Sequence, residues 1–584
     1  MSVTIVDRIN AAVALSPVGT WFRLEGCGHP KERVGSRFTT EIRAGLTTWA
    51  AMAYIVSVNA SILSDSGGTC VCSTNDLCTG DTVYLACVEE LRRELITTTA
   101  AISALASAAM GIVANLPVGL APGLGLNAYL AYSIVGYHGS GPMTYQEAMG
   151  AVFMEGILFF VLSLLGVRQW LARLMPQSLV MAVGAGIGLL IAFIGLSPTG
   201  LGVIGGDTAN FVGLGGCTAE YFVDGLPGYC ASHVMQNPTM WLGIFAGGIL
   251  TVHLMMYRIR GAILIGIFLV SIISWPRSTP VTLFPHTEAG DSAFNFFKEV
   301  VAFKPLKKVA NVINFGAYGN HRVWYALITM LYVDILDTTG TLYSMAKFAG
   351  LRDPVTLDFE GSTSAYCVDA ITITIGSLLG TSPVTAFIES ATGIAEGGKT
   401  GITAVVTGLM FLVSLFFAPI FASIPSWATG GALVIVGSLM IRNVREINWD
   451  YIGDSVPAFL TIIITPLSFN IAYGVIAGVG SYIVINSLPW ALRRISNGRI
   501  SPATYGSAEP WVVPPGGIVP PWIKKLTGHG KKTVPVFDEM QMGPTPNASY
   551  VDLQGSTSEA GHERFNEQKT GSPVEKSPPI FSVI

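Results

Sequence analysis

Charge is what this sequence has least of. Asp, Glu, Lys and Arg make up 12% of its 584 residues, against about 25% in an ordinary soluble protein. So few charges cannot cover a water-facing surface, which excludes a soluble globular protein of this length. The formal charge of −4 is small and argues against a nucleic-acid-binding face or a strongly charged partner. Residues 1–41 contain no apolar core of signal length but do hold Arg8, Arg23, Lys31, Arg33 and Arg37. They read as a cytosolic N-terminal tail. Also absent are a His-Glu-x-x-His pair and any nucleophile–base pair within an apolar run, so the chemistry of an intramembrane enzyme is not there. Gly123-Leu-Gly125 lacks the third glycine and the strand context of a nucleotide loop. Neither a metal nor an organic cofactor is expected.

Apolar runs fill the space that charge leaves, at 51% hydrophobic residues. A bilayer core needs roughly 20 apolar residues per helix, fewer where the helix is broken. Twelve stretches qualify: 43–63, 95–115, 146–166, 178–197, 239–257, 261–275, 323–344, 365–380, 402–422, 427–441, 455–467 and 470–488. Two more, 117–136 and 383–398, are apolar but interrupted by Gly, Pro and polar residues. The expectation is an all-α polytopic membrane protein of about fourteen spans. The 66 glycines fit it, because those inside apolar runs, such as Gly184, Gly186, Gly188 and Gly195, let membrane helices approach closely.

Short loops carrying Arg168 and Arg173, Arg258 and Arg260, Lys347 and Arg352, Arg442 and Arg445, and Arg493 and Arg494 all fall on one side, the cytosolic one. Residues 276–322 should lie outside yet hold Lys298, Lys304, Lys307 and Lys308, and 294–301 could form an amphipathic helix on the membrane. Six of the eight cysteines sit in the two predicted external loops, 64–93 and 198–237. There disulfides are favoured; zinc is the rival, but the first loop has no histidine and no CxxC spacing. From 489 to 584 the chain becomes a Pro/Ser-rich polar tail, expected to be cytosolic, where the Asn547-Ala-Ser549 sequon carries no meaning.

Polar residues at membrane depth mark a pathway or a site by default. Asp334 and Asp337 are three apart and share a helix face with Thr338 and Thr341, with Gly340 giving room. No Lys or Arg lies in the nearest apolar runs to pair with them. Glu389 belongs to the second broken stretch, six residues after Pro383; Asn127 belongs to the first, five after Pro122. Proline blocks a continuous helix, and the freed backbone groups are tolerated only where they line a cavity. Two such breaks in corresponding halves point to a transporter's substrate site. Glu155 has no evident partner. Glu396 and Lys399 suit a structural role at a cytosolic helix end, and His138 and His253 suit packed or interfacial positions.

These residues carry a family resemblance. Phe22-Arg-Leu-Glu-Gly-Cys-Gly-His-Pro30, Ala121-Pro-Gly-Leu-Gly-Leu-Asn-Ala-Tyr129, Asp334-Ile-Leu-Asp-Thr-Thr-Gly-Thr341 and Ser382-Pro-Val-Thr-Ala-Phe-Ile-Glu-Ser-Ala-Thr-Gly393 resemble the AzgA-like hypoxanthine, adenine and guanine permeases, over residues 20–490. The resemblance implies a proton symporter with two inverted seven-span repeats and short, interrupted third and tenth spans. Within 42–488 it implies a core domain of spans 1–4 and 8–11 and a gate domain of spans 5–7 and 12–14. It assigns Asn127, Asp334 and Glu389 to the purine, with Phe387 and Thr338 beside them, and Asp337, together with Asp334 and Glu389, to proton coupling. The implied partners are a purine nucleobase, a co-transported proton, the lipid bilayer of the plasma membrane and a second copy of the chain. Rival readings are a same-fold carrier of uracil, xanthine, urate or an inorganic anion, and a non-transporting receptor.

Overall fold

The computed structural model describes residues 5–508 except 73–77, 79–80, 169–175, 199, 206–212, 219–220, 222–229, 231–234, 260, 303–304, 352–358 and 498. The chain divides into two units, 1–528 and 529–584. The tail beyond 508, with its sequon, and Arg173, Arg260, Lys304 and Arg352 lie outside the described residues.

Each of the twelve apolar stretches is helical. In chain order the helices are α1 (Ile5–Ala14), α2 (Pro17–Phe22), α3 (Phe38–Met52), α4 (Ile55–Asp65), α5 (Thr82–Ala109), α6 (Leu124–Ala128), α7 (Tyr145–Leu164), α8 (Gln177–Leu196), α9 (Pro238–Met256) and α10 (Ala262–Ser274). They continue with α11 (Glu288–Lys298), α12 (His321–Phe348), α13 (Ser362–Leu378), α14 (Ser390–Ala395), α15 (Gly401–Phe416), α16 (Ala418–Ala422), α17 (Ser426–Met440), α18 (Ile452–Leu467) and α19 (Ile471–Ile495). Among the described residues four short strands interrupt them: β1 (Leu120–Pro122), β2 (Ile204–Gly205), β3 (Gly213–Leu214) and β4 (Val384–Ala386). Among the described residues seven helical spans, α3 and α4 counting as one, are long and apolar enough to cross a bilayer, and α10, α15 and α18 are shorter apolar helices. The protein is an all-α, polytopic membrane protein.

Helix ends follow local chemistry. Thr144 and Glu147 form a reciprocal capping box at the start of α7, and Asn470 caps α19 through the N–H groups of Ala472 and Tyr473. Small residues set the packing of the long helices. A Cβ on Gly188 would lie 2.9 Å from the carbonyl of Gly437, so α8 and α17 meet backbone to backbone. Around them α8, α9, α10, α17, α18 and α19 pack together, while α3, α4, α5, α7, α12, α13 and α15 form a second set of neighbours.

Two sequence expectations need correction here. Residues 64–93 are not all loop, because α5 already begins at Thr82 behind an Asp81 cap. Its first turns are charged but self-satisfied: Glu89 pairs with Arg92 at 3.7 Å and Arg93 at 3.4 Å. The amphipathic helix expected over 294–301 is α11, which starts earlier and stops at Lys298. Phe296 on it receives Arg93 at 4.6 Å. Beside it, Glu94 Oε2 accepts the N–H groups of Lys307 (2.9 Å), Lys308 (2.7 Å) and Val309 (3.2 Å). The cysteines of both loops are joined as Cys70–Cys87, Cys72–Cys78 and Cys217–Cys230.

The N-terminal segment is tied to the helix ends it precedes. Arg33 is buried and donates to the carbonyls of Asn115 (2.6 Å) and Lys399 (2.5 Å). Burial, with the nearby Arg23 charge, draws its guanidinium down to about 10. Arg23 and Lys31 both reach Glu360. Burial raises that carboxyl, but the two cations outweigh it and hold it below its ordinary value. Glu41 accepts the N–H groups of Lys399 and Thr400, and Arg43 pairs with Glu396 at 3.2 Å. Glu396 and Lys399 are thus structural, as expected.

Candidate functional site

The two broken stretches meet. β1 and β4 pair antiparallel, with Leu120 opposite Ala386, Ala121 opposite Thr385 and Pro122 opposite Val384. Beyond the pairing, Gly123 N donates to Pro383 O at 2.9 Å and Phe387 N to Gly119 O at 3.1 Å. Ser390 Oγ accepts from Gly119 N at 3.0 Å, and Ser107 Oγ from Leu120 N at 2.9 Å. Prolines 122 and 383 deny both segments a helix, and the strand crossing satisfies the backbone groups so freed. Gly123 is required at the crossing because a Cβ there would sit 2.7 Å from the Thr385 side chain.

After each strand comes a short helix carrying one polar side chain. Asn127 lies in α6, fully buried; its Nδ2 donates to Asn59 O at 3.3 Å while its Oδ1 has no partner. Glu389 stands immediately before α14, partly exposed, and its Oε1 accepts the Tyr54 hydroxyl at 2.7 Å. Phe387 is buried in the hydrophobic core. Helix α12 packs against β4, α14 and α6, which brings Asp334 and Asp337 to the same crossing.

The two aspartates do not see the same surroundings. Asp337 is partly exposed, and Glu389 and Asp369 are the charged groups near it. Asp334 is fully buried; its Oδ1 accepts the Thr338 hydroxyl and its Oδ2 has no partner. Its charged neighbours include Asp369 and Arg168.

Arg168 overturns two expectations. It is not a loop residue, and it gives the carboxylates the cation that the nearest runs were thought to lack. Its guanidinium is fully buried beyond the end of α7, with Nη2 2.8 Å from Asp369 Oδ2. It lies 4.3 Å from the Phe159 ring centre and 4.9 Å from that of Tyr366. Sequence reasoning missed Arg168, Asp369, Tyr54 and Asn59 as members of this region. Asp369 was open to the rule applied to the others, being a carboxylate inside the apolar run 365–380. Asn59 was open to it too, as a polar side chain inside the apolar run 43–63, whereas Tyr54 in the same run did not stand out from aromatic residues that only pack. Asn59 bonds Thr99 (2.8 Å) and Thr381 (3.2 Å) and accepts from Ser382 (3.3 Å), which fixes the second broken stretch to α4. His253 is exposed, and His138 lies against the Tyr137 ring at 4.1 Å.

Crossed half-strands, short helices and buried carboxylates within a helical bundle define a membrane permease. The model described as "Permease family" (Xan_ur_permease) matches residues 40–477, and the chain belongs to that family. It is 54% identical to the efflux pump notK' of Aspergillus versicolor, over 97% of this chain and 99% of that protein. It is 34% identical to the guanine/hypoxanthine permease PbuO of Bacillus subtilis, over 80% of this chain and 95% of that one. Among solved structures, that of SLC26A9 superposes with a TM-score of 0.51 at 12% identity, covering 82% of this chain and 69% of that one; the likeness is one of fold. These relatives are transport proteins, not enzymes.

Proposed function

We propose that the chain carries purine nucleobases across the plasma membrane together with protons, with Asn127, Glu389, Asp334 and Asp337 as the polar groups of the site and Thr338 and Phe387 supporting them. The observation that carries this reading is the convergence of an amide oxygen without a partner with several carboxylates where the two broken stretches cross. A purine edge presents N–H donors beside acceptor nitrogens. Carboxylates take the donors, and an amide serves either kind. The guanine/hypoxanthine permease at 34% identity supports the same cargo. In this reading the chain is two inverted repeats of seven spans. The helix set α3–α7 with α12–α15 is the core domain, and α8–α10 with α17–α19 the gate against which it moves.

Uptake of labelled adenine by cells lacking their own purine carriers tests the cargo. Adenine, guanine or hypoxanthine should compete with the label; competition by uracil or an inorganic anion alone would replace the reading. An outward direction is the second reading, favoured by the efflux pump that matches nearly the whole chain. Efflux of preloaded adenine, without uptake, would select it.

In this reading both termini lie in the cytosol. Impermeant thiol reagents should then reach Cys70, Cys87, Cys217 and Cys230 only from outside and only after reduction. Labelling from the cytosolic face would reverse the orientation.

Tyr54 holds Glu389 in place from the break between α3 and α4. A hydrogen bond to a charged group is worth about 1.5–3 kcal/mol. Tyr54→Phe should therefore weaken adenine affinity roughly 10-fold or more while leaving the amount of protein in the membrane unchanged. Unchanged affinity would show that Glu389 needs no such support.

A further inference from the structure

Away from the strand crossing, Glu155 on α7 is fully buried, and neither of its carboxylate oxygens has a hydrogen-bond partner. α7 packs against α13 and α12 and touches the short turn Phe315–Gly319. The charged groups facing Glu155 from these elements are Asp334 on α12, Asp369 on α13 and Arg168 beyond the end of α7 itself. The other titratable groups near the cluster are Asp337, three residues along α12 from Asp334 and also near Asp369; the Cys367 thiol on α13, near Arg168; and two phenols, Tyr366, whose ring meets Arg168, and Tyr318, whose hydroxyl donates to Gly150 O at 2.9 Å.

Counting charge in this cluster is decisive. Three carboxylates face one guanidinium, and that guanidinium is already paired to Asp369 at 2.8 Å. Arg168 Nε and Nη1 make no further hydrogen bond. If Glu155, Asp334 and Asp369 were all ionised, two negative charges would remain uncompensated in the interior, and the partly exposed Asp337 beside them would add a third. Asp334 has a hydroxyl donor in Thr338, whereas Glu155 has none. An ionised carboxylate without a hydrogen bond or a counter-ion is the costliest group a protein interior can hold, and it takes a proton instead.

Resting on the symport reading above, we propose that Glu155 carries the co-transported proton, beside the fixed and self-neutralised Arg168–Asp369 pair, with Asp334 as its link to the bound base. The step is a plain protonation: the carboxylate binds a proton from the entry side, becomes a neutral acid, and returns the proton on the exit side. Asp334 supplies the coupling. A base that donates an N–H to Asp334 needs that carboxylate ionised, and an ionised Asp334 repels a second charge on Glu155. The repulsion vanishes once Glu155 is protonated. Base and proton therefore bind cooperatively, and by linkage each strengthens the other by the same factor.

Glu155→Gln copies the shape of the protonated acid and tests the assignment in the full-length chain reconstituted into liposomes. The purified variant should exchange labelled adenine for unlabelled adenine as the unaltered chain does. It should lose adenine-driven proton entry, read by an internal pH dye, and its uptake should no longer rise with external acidity. Glu155→Asp should restore coupled proton entry with a displaced pH profile. Adenine-driven proton entry by Glu155→Gln equal to that of the unaltered chain would overturn the proposal. Loss of exchange along with coupling would also overturn it, since Glu155 would then serve base binding or structure. If the unaltered chain exchanges adenine but moves no proton with it, the symport reading itself falls, and this proposal with it.

Discussion

Glu389→Ala and Asn127→Ala should each weaken adenine binding by about 10–100-fold while the protein still reaches the membrane. The range follows from losing one hydrogen bond to a charged or otherwise unsatisfied group, about 1.5–3 kcal/mol, at about 1.4 kcal/mol per decade. Two features make the loss specific. Glu389 is partly exposed, so its removal leaves no cavity in the packed core. Asn127 already spends its Nδ2 on Asn59 O, which leaves its buried Oδ1 as the acceptor on offer. Glu389→Gln should be milder than Glu389→Ala because an amide oxygen still accepts from Tyr54. Saturation binding of labelled adenine to purified protein measures all three. Wild-type affinity in both alanine variants would remove the strand crossing as the binding site.

Arg168→Leu should be the most destabilising single substitution described here, costing about 3–5 kcal/mol through an unpaired charge left in the interior. Asp369 would keep a buried carboxylate with its cation gone, beside Asp334 and Glu155, which are themselves short of partners. The double variant Arg168→Met/Asp369→Leu removes both charges together. It should recover most of the lost stability, since well-packed apolar replacement of a buried pair is often neutral or favourable. Thermal unfolding of the purified variants in detergent reads the difference. A single variant melting with the unaltered protein would mean that the pair contributes nothing.

The architecture was legible because length and hydropathy are nearly sufficient constraints in a bilayer. Every apolar stretch became a helix, and the two stretches with Pro122 and Pro383 became the two breaks. That the breaks pair with each other was not legible, since the β1–β4 hydrogen bonds join residues more than 260 positions apart. Charges near the ends of apolar runs misled in both directions. Arg168 follows such a run and reads as a loop cation, yet it is turned inward by Asp369 and two aromatic faces. Glu89, Arg92 and Arg93 read as loop and are helical, because they neutralise one another. The shared face of Asp334 and Asp337 was visible from spacing. Their different surroundings were not, because these depend on which helices pack on either side of α12.

Transport by the purified chain in liposomes tests the central claim most directly. With the outside made acidic and a labelled-adenine concentration equal on both sides, adenine should accumulate inside, and a proton uncoupler should abolish the accumulation. Adenine that merely equilibrates, indifferent to the gradient and the uncoupler, would contradict proton-coupled purine transport.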